Sequence, residues 1–432
     1  MKILKYSDLR FNSKIKKLTQ RAGLFDSGIE NRTREILESV RKKGDTAVIE
    51  FTRRFDGAAL SPSRMAVSPE EISRILRRAD PALKSAVSSV IQNVASFSKE
   101  SLRKNWSGRN AQGVLVGEKF DPIRRVGIYV PGGTAPLVST ALMTVVLAKA
   151  AGCPEIVVCT PCSSDGEVHP ALLYAAASAG ATEIFRVGGA QSIAAMAFGT
   201  KTIAPVDKIF GPGGGYVVAA KRLLFGFVSI DLLPGPSEVL VLADKTAPPD
   251  YIAADLLAQA EHGDGHERVW LVTDSSALLK KVEQQIKKQL PELARKKYAE
   301  KALRKGGRLV LARDMDQAIE ITNRFAPEHC EVITKKPRQE ASRITTAGAL
   351  FLGVDTPTVL GDYLAGPSHE LPTGGTGTAF SGLTADQFQR RTSIVQASKA
   401  SLKRSASTVS FFANLEGLDA HGRSASIRLN PS

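Results

Sequence analysis

The sequence predicts an α/β protein with two doubly wound parallel-sheet, incomplete Rossmann-like domains, one split around the other, and small helical segments at both ends. Short apolar runs typical of buried strands alternate with helix-length segments between about residues 126 and 325. Glycine-rich turns follow several of these runs. Alternating β and α units of this length favour a parallel sheet with helices on both faces.

The N-terminal region is predicted to be helical after a short basic arm at residues 1–22. A helical pattern over 29–43 stops at Gly44, a residue that commonly ends helices. Ser68 is predicted to begin another helix, with Glu71 completing a capping box.

The strand, turn and helix unit repeats within an inserted domain that we predict to span 123–235. Its predicted strands are 126–130, 155–158, 184–187 and 206–210, and its predicted helices are 140–151, 170–179, one after Gln191, and 216–221. The glycine-rich turns offer backbone N–H groups and helix N-termini to an anionic ligand. None has the G-x-G-x-x-G spacing or a following P-loop lysine, so the usual dinucleotide fingerprint is absent.

The outer, split domain is predicted to comprise 23–122 and 236–378. Its later part has predicted strands at 239–242, 269–272 and 308–311 and a helix that opens at Pro249. Asp314 begins a further helix, which Pro327 stops. The remaining segment, 379–432, is predicted to be a helical tail.

Composition points to an ordinary globular protein in the cytoplasm. The 432 residues are 43% hydrophobic and 23% charged. The first residues lack the apolar core of a signal peptide, and no apolar run approaches the roughly 18 residues of a membrane helix. The net charge of +15 leaves a non-catalytic, polyanion-binding protein as an alternative. Because the basic residues are scattered and lack interleaved aromatic residues, we expect no specific nucleic acid and no membrane partner.

The four cysteines do not suggest a disulfide framework. Cys159 and Cys162 form a CxxC pair after a predicted strand, but the flanking residues differ from thioredoxin-like sites. A redox role for the pair is left open.

Four of the six histidines lie close to an acid or an amide in the sequence. Histidine titrates near neutral pH and binds metals as a neutral ligand, so this association indicates chemistry. The four pairings are Gln259 with His262, Glu328 with His329, Asp362 with His369, and Glu416 with His421.

Three of these pairings leave more than one interpretation open. Gln259 and His262 share a helix face and could supply two ligands to one ion; His262 and His266 form an alternative HxxxH pair, interrupted by glycines. Glu328 and His329 could act as an acid–base pair, or lie in the first turn of a helix behind a proline. The Glu416 segment could simply cap a helix.

Eight ordered motifs make the chain resemble the histidinol dehydrogenase family over nearly its whole length. They are GIYVPGG (127–133), VDKIFGPG (206–213), GPSEV (235–239), QAEH (259–262), APEH (326–329), GDY (361–363), HELPT (369–373) and EGLDAH (416–421).

The resemblance implies a zinc enzyme that oxidises L-histidinol to L-histidine through histidinal with two NAD. It implies a homodimer with one Zn²⁺ per subunit, in which the C-terminal segment reaches into the partner's site. The implied zinc ligands are Gln259, His262, Asp362 and His421, which also contact substrate together with Ser237, His329, His369 and Glu416. Glu328 and His329 are the implied catalytic pair, and Tyr129, Gln191 and position 214 are the implied NAD contacts.

The chain departs from the family pattern at Gly214, where an asparagine that contacts NAD is usual. Glycine has no side chain, so that hydrogen bond is lost or taken over by the backbone. A related dehydrogenase with the same metal site and another amino- or sulfo-alcohol as substrate is an alternative. The presence of His369 and Glu416 argues against it.

Overall fold

The computed structural model describes residues 1–20, 26–132, 136–263 and 265–429. Three sheets organise this part of the chain, and two of them are parallel. The predicted α/β class is therefore confirmed. Gly133 of the first glycine-rich turn, and the predicted junction at 22–23, lie outside the described residues.

The N-terminal region contributes one strand and then six helices. Its elements are β1 (Lys2–Lys5), α1 (Phe11–Leu18), α2 (Ser27–Lys43), α3 (Asp45–Asp56), α4 (Pro62–Met65), α5 (Pro69–Arg78) and α6 (Pro81–Ser101). Gly44 follows α2 as predicted, and the Ser68 hydroxyl caps α5 by accepting from the Glu71 N–H. Although residues 23–122 were grouped with the outer domain, the buried side chains of α2, α3 and α6 pack into the core of the five-stranded sheet.

The five-stranded sheet is parallel, and its strand order is β6-β5-β4-β7-β8. The elements of this region are β2 (Trp106–Arg109), β3 (Leu115–Pro122), β4 (Arg125–Tyr129), α7 (Val138–Ala150), β5 (Glu155–Cys159), α8 (Pro170–Ala179), β6 (Glu183–Phe185), α9 (Gly189–Phe198), β7 (Lys208–Phe210), α10 (Gly215–Leu224) and β8 (Ser229–Ile230). The order reverses between β4 and β7, so the loops after these strands diverge and leave a crevice at their carboxyl ends.

The six-stranded sheet is also parallel and repeats this reversal between β9 and β12. Its strand order is β1-β11-β10-β9-β12-β13, with the N-terminal strand β1 paired to β11 at one edge. The elements after residue 237 are β9 (Glu238–Ala243), α11 (Pro249–Ala260), β10 (Arg268–Thr273), α12 (Ser276–Gln289), α13 (Lys296–Lys305), β11 (Arg308–Leu311), α14 (Met315–Phe325), β12 (His329–Ile333), α15 (Pro337–Ala341), β13 (Ala349–Leu352) and α16 (Val359–Tyr363).

The C-terminal segment forms one long strand and two helices, β14 (Gln389–Gln396), α17 (Lys399–Leu415) and α18 (Asp419–Leu429). β14 pairs antiparallel with β3, which pairs with β2, in a separate three-stranded sheet. The prediction of a helical tail missed β14 because its pairing partner lies far away in sequence, near residue 120.

Segments that flank the two parallel sheets contact each other. Thr140, in the first turn of α7 just after β4, contacts His369 of the segment after α16. The Gly235 N–H, shortly before β9, donates to the Thr373 hydroxyl. The carboxyl end of the first sheet therefore faces the amino end of the second. None of the helices in the described ranges is long and apolar enough to cross a membrane.

Candidate active site

Glu328 and His329 lie where the chain enters β12. Ala326 ends α14 in the left-handed conformation, with φ 49°, and Pro327 follows it. His329 then pairs within the sheet with β9 on one side and β13 on the other. The alternative that Pro327 starts a helix here is therefore wrong, because strand pairing on both sides overrides the local helix-start signal.

The backbone of Glu238, the first residue of β9, holds both side chains. The Glu328 carboxylate accepts from the Glu238 N–H at 2.7 Å, and His329 Nδ1 lies 3.0 Å from the Glu238 carbonyl oxygen. A carbonyl can only accept, so Nδ1 carries a proton and Nε2 of the neutral ring has the free lone pair. Glu238 was not identified as a site residue from the sequence, although an acidic residue at the start of an apolar strand was a usable signal.

Nε2 of His329 is directed at Asp362. The nitrogen is buried, lies 3.6 Å from Asp362 Oδ1 and has no hydrogen-bond partner in the part of the chain that the structure describes. Burial lowers the pKa of His329, but the Glu328 carboxylate and Asp362 outweigh burial and raise it to about 10. A pKa this high favours the imidazolium, so His329 can act as a base only when a further positive charge nearby lowers it; in the neutral ring, Nε2 is the atom that accepts a proton.

Asp362, on α16, lies among three imidazoles. His369 Nδ1 is 3.0 Å from the Asp362 carbonyl oxygen, and His329 and His262 lie close enough to act on the carboxylate. Burial raises the pKa of Asp362, but these three histidines outweigh burial and lower it. The carboxylate is therefore ionised at neutral pH and available as a ligand.

Gln259 and His262 meet at the end of α11. The helix ends at Ala260, so His262 lies just beyond it rather than on the shared helix face that was predicted. His262 is exposed, and its N–H lies 3.3 Å from the Gln259 carbonyl oxygen. Gly265 has φ 91°, which breaks any helical relation between His262 and His266. The alternative HxxxH pair therefore lacks helical geometry.

The donors from this chain are compatible with a zinc ion but form an incomplete set. Gln259, His262 and Asp362 offer an amide, an imidazole and a carboxylate, which are nitrogen and oxygen donors of the kind that zinc accepts. Among the described residues there is no group of three or more His, Cys, Asp or Glu side chains able to hold a metal ion. A further ligand must come from elsewhere if a tetrahedral set is to be completed.

Glu416 and His421 lie on a different part of the surface from Asp362. Glu416 caps the end of α17, His421 is on α18, and both are exposed. These helices pack mainly against each other, and the Arg404 guanidinium ties them to the Gln112 carbonyl oxygen of the β2–β3 hairpin at 2.8 Å. Within one chain, the structure does not bring these two predicted residues to the site.

His369 and Ser237 lie next to residues of the site described above. His369 Nε2 lies 3.4 Å from Thr140 Oγ1 and 3.5 Å from Glu370 Oε1. Burial lowers the pKa of His369, but the neighbouring Glu370 outweighs burial, so the pKa is raised. Ser237 is half-buried directly before Glu238, the residue that holds the catalytic pair. Thr140 was not identified from the sequence, where it read only as the start of a helix.

Tyr129 and Gln191 lie at the carboxyl end of the first sheet. The Tyr129 hydroxyl accepts from the Gly189 N–H at 3.3 Å, and burial raises the Tyr129 pKa to about 12, so the phenol is neutral. Gln191 is buried, and neither its amide oxygen nor its nitrogen has a hydrogen-bond partner among the described residues. Gly211 must be glycine, because a Cβ there would lie 2.1 Å from the Tyr129 carbonyl oxygen.

Gly214 is the N-cap of α10 and is exposed. Its φ of −67° is ordinary for any residue, and a Cβ at this position would meet nothing within 4 Å. The backbone therefore does not require glycine here, and space for a side chain remains beside the helix N-terminus.

The CxxC pair has no support as a redox centre. Cys159 and Cys162 are free and buried. Burial raises the pKa of both thiols, that of Cys162 to about 11. Because the thiolate is the reactive form, these cysteines act as small apolar core residues.

Comparisons with known proteins agree over nearly the full chain. A sequence model of the histidinol dehydrogenase family matches residues 19–429. Histidinol dehydrogenase from Heliobacterium mobile is 43% identical over 410 residues, covering 95% of this chain and 96% of the relative. The relative from Geobacillus kaustophilus is 43% identical over 407 residues, covering 94% and 95% respectively.

Solved structures give the same result. The crystal structure of histidinol dehydrogenase from Elizabethkingia anophelis has a TM-score of 0.94 and 36% identity, covering 99% of this chain and 98% of that one. An acetylating aldehyde dehydrogenase from Geobacillus thermoglucosidasius, with a TM-score of 0.50 and 15% identity, shares the fold alone. The resemblance deduced from the eight motifs is confirmed, and the chain belongs to the histidinol dehydrogenase family.

Proposed function

We propose that the chain oxidises L-histidinol to L-histidine through L-histidinal, with two NAD and one Zn²⁺ per subunit. The observation that carries the proposal is the geometry of His329. Its Nδ1 is fixed by a carbonyl oxygen, its buried Nε2 is free, and Glu328 and Asp362 lie beside it. The family relationship supports the assignment of substrate.

In the first oxidation, His329 removes the alcohol proton through Nε2. The C–H bond of the same carbon breaks with both electrons, and the hydride passes to the first NAD⁺, which leaves the aldehyde and NADH. The Glu238 carbonyl oxygen keeps the Nδ1 proton in place, so Nε2 alone accepts.

In the second oxidation, Glu328 removes a proton from water as its oxygen attacks the aldehyde carbon. The resulting hydrate anion gives a hydride to a second NAD⁺ and becomes the carboxylic acid, which ionises. The Glu238 N–H holds the Glu328 carboxylate at 2.7 Å and fixes its orientation for this role. Two adjacent side chains thereby supply one base for each step.

Bound Zn²⁺ would supply a Lewis acid that holds the imidazole and the amine of the substrate. Gln259, His262 and Asp362 are the residues of this chain that would hold it. A cation beside Asp362 also opposes protonation of His329, which brings that imidazole toward the neutral form that a base requires. On the NAD side, Tyr129 ends β4, Gln191 follows β6, and Gly214 at the N-terminus of α10 follows β7, all at the carboxyl end of the same sheet.

A homodimer would complete the site. Apolar side chains are exposed on the C-terminal segment that carries Glu416 and His421; they include Val395, Phe411, Phe412, Leu415 and Leu418. Several large apolar side chains exposed on one segment are typical of an interaction face. A second copy covering it would bring its Glu416 and His421 to the site of the first.

The proposal is tested by NADH formation from L-histidinol before and after treatment with a chelator. We expect NADH only with L-histidinol, loss of the signal after chelation and recovery on adding Zn²⁺. Other amino- and sulfo-alcohols in the same assay test the alternative substrates. A rate that the chelator leaves unchanged would count against the zinc site, and a faster rate with another alcohol would count against the substrate.

Replacing Glu328 by Gln separates the two steps. We expect this variant to lose more activity with L-histidinal as substrate than in the first hydride transfer from L-histidinol, because only the second step needs water activated. Single-turnover NADH formation from each substrate measures the difference. Small, equal losses in both steps would remove the assignment of Glu328 as the water-activating base.

A further inference from the structure

Glu331 is a fully buried acid in the middle of β12. Every residue of this strand is buried, and Glu331 is 0% exposed. Side chains alternate along a strand, so Glu331 lies on the same face as His329, whereas Cys330 and Val332 face the opposite core. Burial of a carboxyl group in a sheet is costly unless hydrogen bonds compensate it.

Two partners provide that compensation. Glu331 Oε1 accepts from the Thr358 N–H at 2.7 Å and also from the Thr358 hydroxyl. Oε2 is buried and meets no donor N–H or O–H in the described ranges. The Asp255 carboxyl group lies within hydrogen-bonding reach of the Glu331 carboxyl group. Two carboxyl groups can hydrogen-bond to each other only when they share a proton. Burial raises the pKa of both groups, which favours the shared proton.

The pair joins the three elements that carry the predicted metal donors and the catalytic base. Asp255 lies on α11, one turn before Gln259. Glu331 lies on β12, two residues after His329. Thr358 precedes α16, and its carbonyl oxygen accepts from the Asp362 N–H at 3.3 Å. A chain of hydrogen bonds therefore runs from α11 through β12 to Asp362.

The geometry points to Glu331 and Asp255 as positioning residues that fix α16 and α11 against β12 and so set the spacing between Asp362 and the Gln259–His262 pair. This inference rests on the proposed function, in which these three residues hold Zn²⁺. Neither carboxyl group touches the substrate in this scheme. Their effect is to keep the donors in place before the metal binds, which raises metal affinity.

Three substitutions in the full chain test the inference. Glu331→Ala leaves Thr358 without its acceptor and Asp255 buried alone. Glu331→Gln keeps an acceptor for Thr358 and gives Asp255 a donor, so it should restore the link without a shared proton. Val332→Ala is the matched control, because it removes buried volume from the same strand on the opposite face.

Titration of each metal-free protein with Zn²⁺ alone, followed by calorimetry, is the decisive measurement. We expect Glu331→Ala to weaken zinc binding by about 10–100-fold, the usual effect of removing a group that orients a ligand. Glu331→Gln should stay within about threefold of the unaltered chain, and Val332→Ala should lower the melting temperature without changing zinc affinity. Unchanged affinity in Glu331→Ala, or an equal loss in Val332→Ala, overturns the inference.

A milder variant covers the case in which Glu331→Ala does not fold. Thr358→Val has nearly the same shape and removes only the hydroxyl that donates to Glu331. It should weaken zinc binding severalfold, and unchanged zinc affinity in this variant also overturns the inference. Absence of zinc binding by the unaltered chain overturns the proposed function instead, and the positioning role with it.

Discussion

Single backbone groups decide the chemistry of the central side chains. The Glu238 carbonyl oxygen accepts from His329 Nδ1 at 3.0 Å, and the Asp362 carbonyl oxygen lies 3.0 Å from His369 Nδ1. Each contact places a proton on Nδ1 and leaves Nε2 directed at another side chain, Asp362 for His329 and Thr140 with Glu370 for His369. The orientation of His329 is therefore set by a carbonyl group 91 residues away in sequence.

The open space at Gly214 leads to a prediction about the cofactor. Gly214→Asn should lower the KM for NAD severalfold, because the added amide can hydrogen-bond at the N-terminus of α10 without a clash. The change in stability should be small, a few tenths of a kcal/mol in favour of Asn as N-cap. Gly214→Ala is the control, since it adds a Cβ without an amide. Equal effects of both substitutions on the KM would contradict a hydrogen bond to NAD.

Asp56 should make the stability of the protein depend on pH. Burial raises the pKa of this carboxyl group from 3.8 to about 6, and its Oδ2 has no hydrogen-bond partner in the described residues. Asp56 is also the last residue of α3, where the helix dipole disfavours a negative charge. Between these two pH values the unfolded chain loses the proton while the folded chain keeps it. The contribution of Asp56 to stability is therefore present below pH 3.8 and is lost as the pH rises to about 6.

The corresponding variant is Asp56→Asn, which cannot ionise. The difference in melting temperature between Asp56→Asn and the unaltered chain should increase as the pH rises from 3.8 to about 6. Above that pH the difference should stay constant. Glu50→Gln, at an exposed position of the same helix, removes the same charge and corrects for the general effect of net charge. A pH-independent difference for Asp56→Asn would show that the carboxyl group is not strained by burial.

At the scale of elements, a buried ion pair holds the loop between β7 and α10. Lys221 of α10 is paired with Asp231, and the two side chains are 1% and 3% exposed. The Lys221 ammonium donates to the Gly211 carbonyl oxygen at 2.8 Å, and Asp231 accepts from the Gly211 N–H at 2.7 Å. The pair thus closes around the backbone of the glycine-rich turn next to Tyr129.

Removing one partner of this pair should be costly. Lys221→Met leaves Asp231 buried without its cation, so we expect a loss of about 3–5 kcal/mol in the free energy of unfolding, measured with urea. The double variant Lys221→Met/Asp231→Leu removes both charges and should lose less than the single variant. If the double variant is instead less stable than Lys221→Met alone, the stability loss comes mainly from the missing ion pair and not from the unpaired charge.

At the scale of the whole molecule, the C-terminal helices carry two predicted site residues away from the cleft of their own chain. Exposed apolar side chains on β14, α17 and α18 accompany Glu416 and His421. Under the proposed function, the zinc site of one chain lacks a ligand and His421 lies away from it. The proposed homodimer, in which each chain supplies its C-terminal segment to the other, would account for both features.

Coexpression of two inactive variants tests this exchange. If His421 acts in the other subunit, a heterodimer of His421→Ala and His329→Ala chains contains one intact site. Random pairing then restores about a quarter of the unaltered activity, because half of the dimers are mixed and each has one of its two sites intact. Sedimentation should show a dimer throughout. A dimer that recovers no activity would place His421 in the site of its own chain.

Local patterns in the sequence determined the strands, helices and scarce functional side chains. The predicted apolar strands are β4 to β7 and β9 to β11, and Gly44 and Ser68 delimit helices where predicted. These features depend on periodicity, capping and backbone conformation, which act over a few residues. For the same reason the family motifs could be recognised without a structure.

Only the tertiary structure decided how these parts combine. His329 lies in a strand because β9 and β13 pair with it, and β14 forms because β3 is its neighbour. Likewise, the ionised state of Asp362 and the pairing of Glu331 with Asp255 depend on burial and on charges brought together by the fold. Strand pairing, burial and electrostatic environment are set by distant parts of the chain, so no local pattern encodes them.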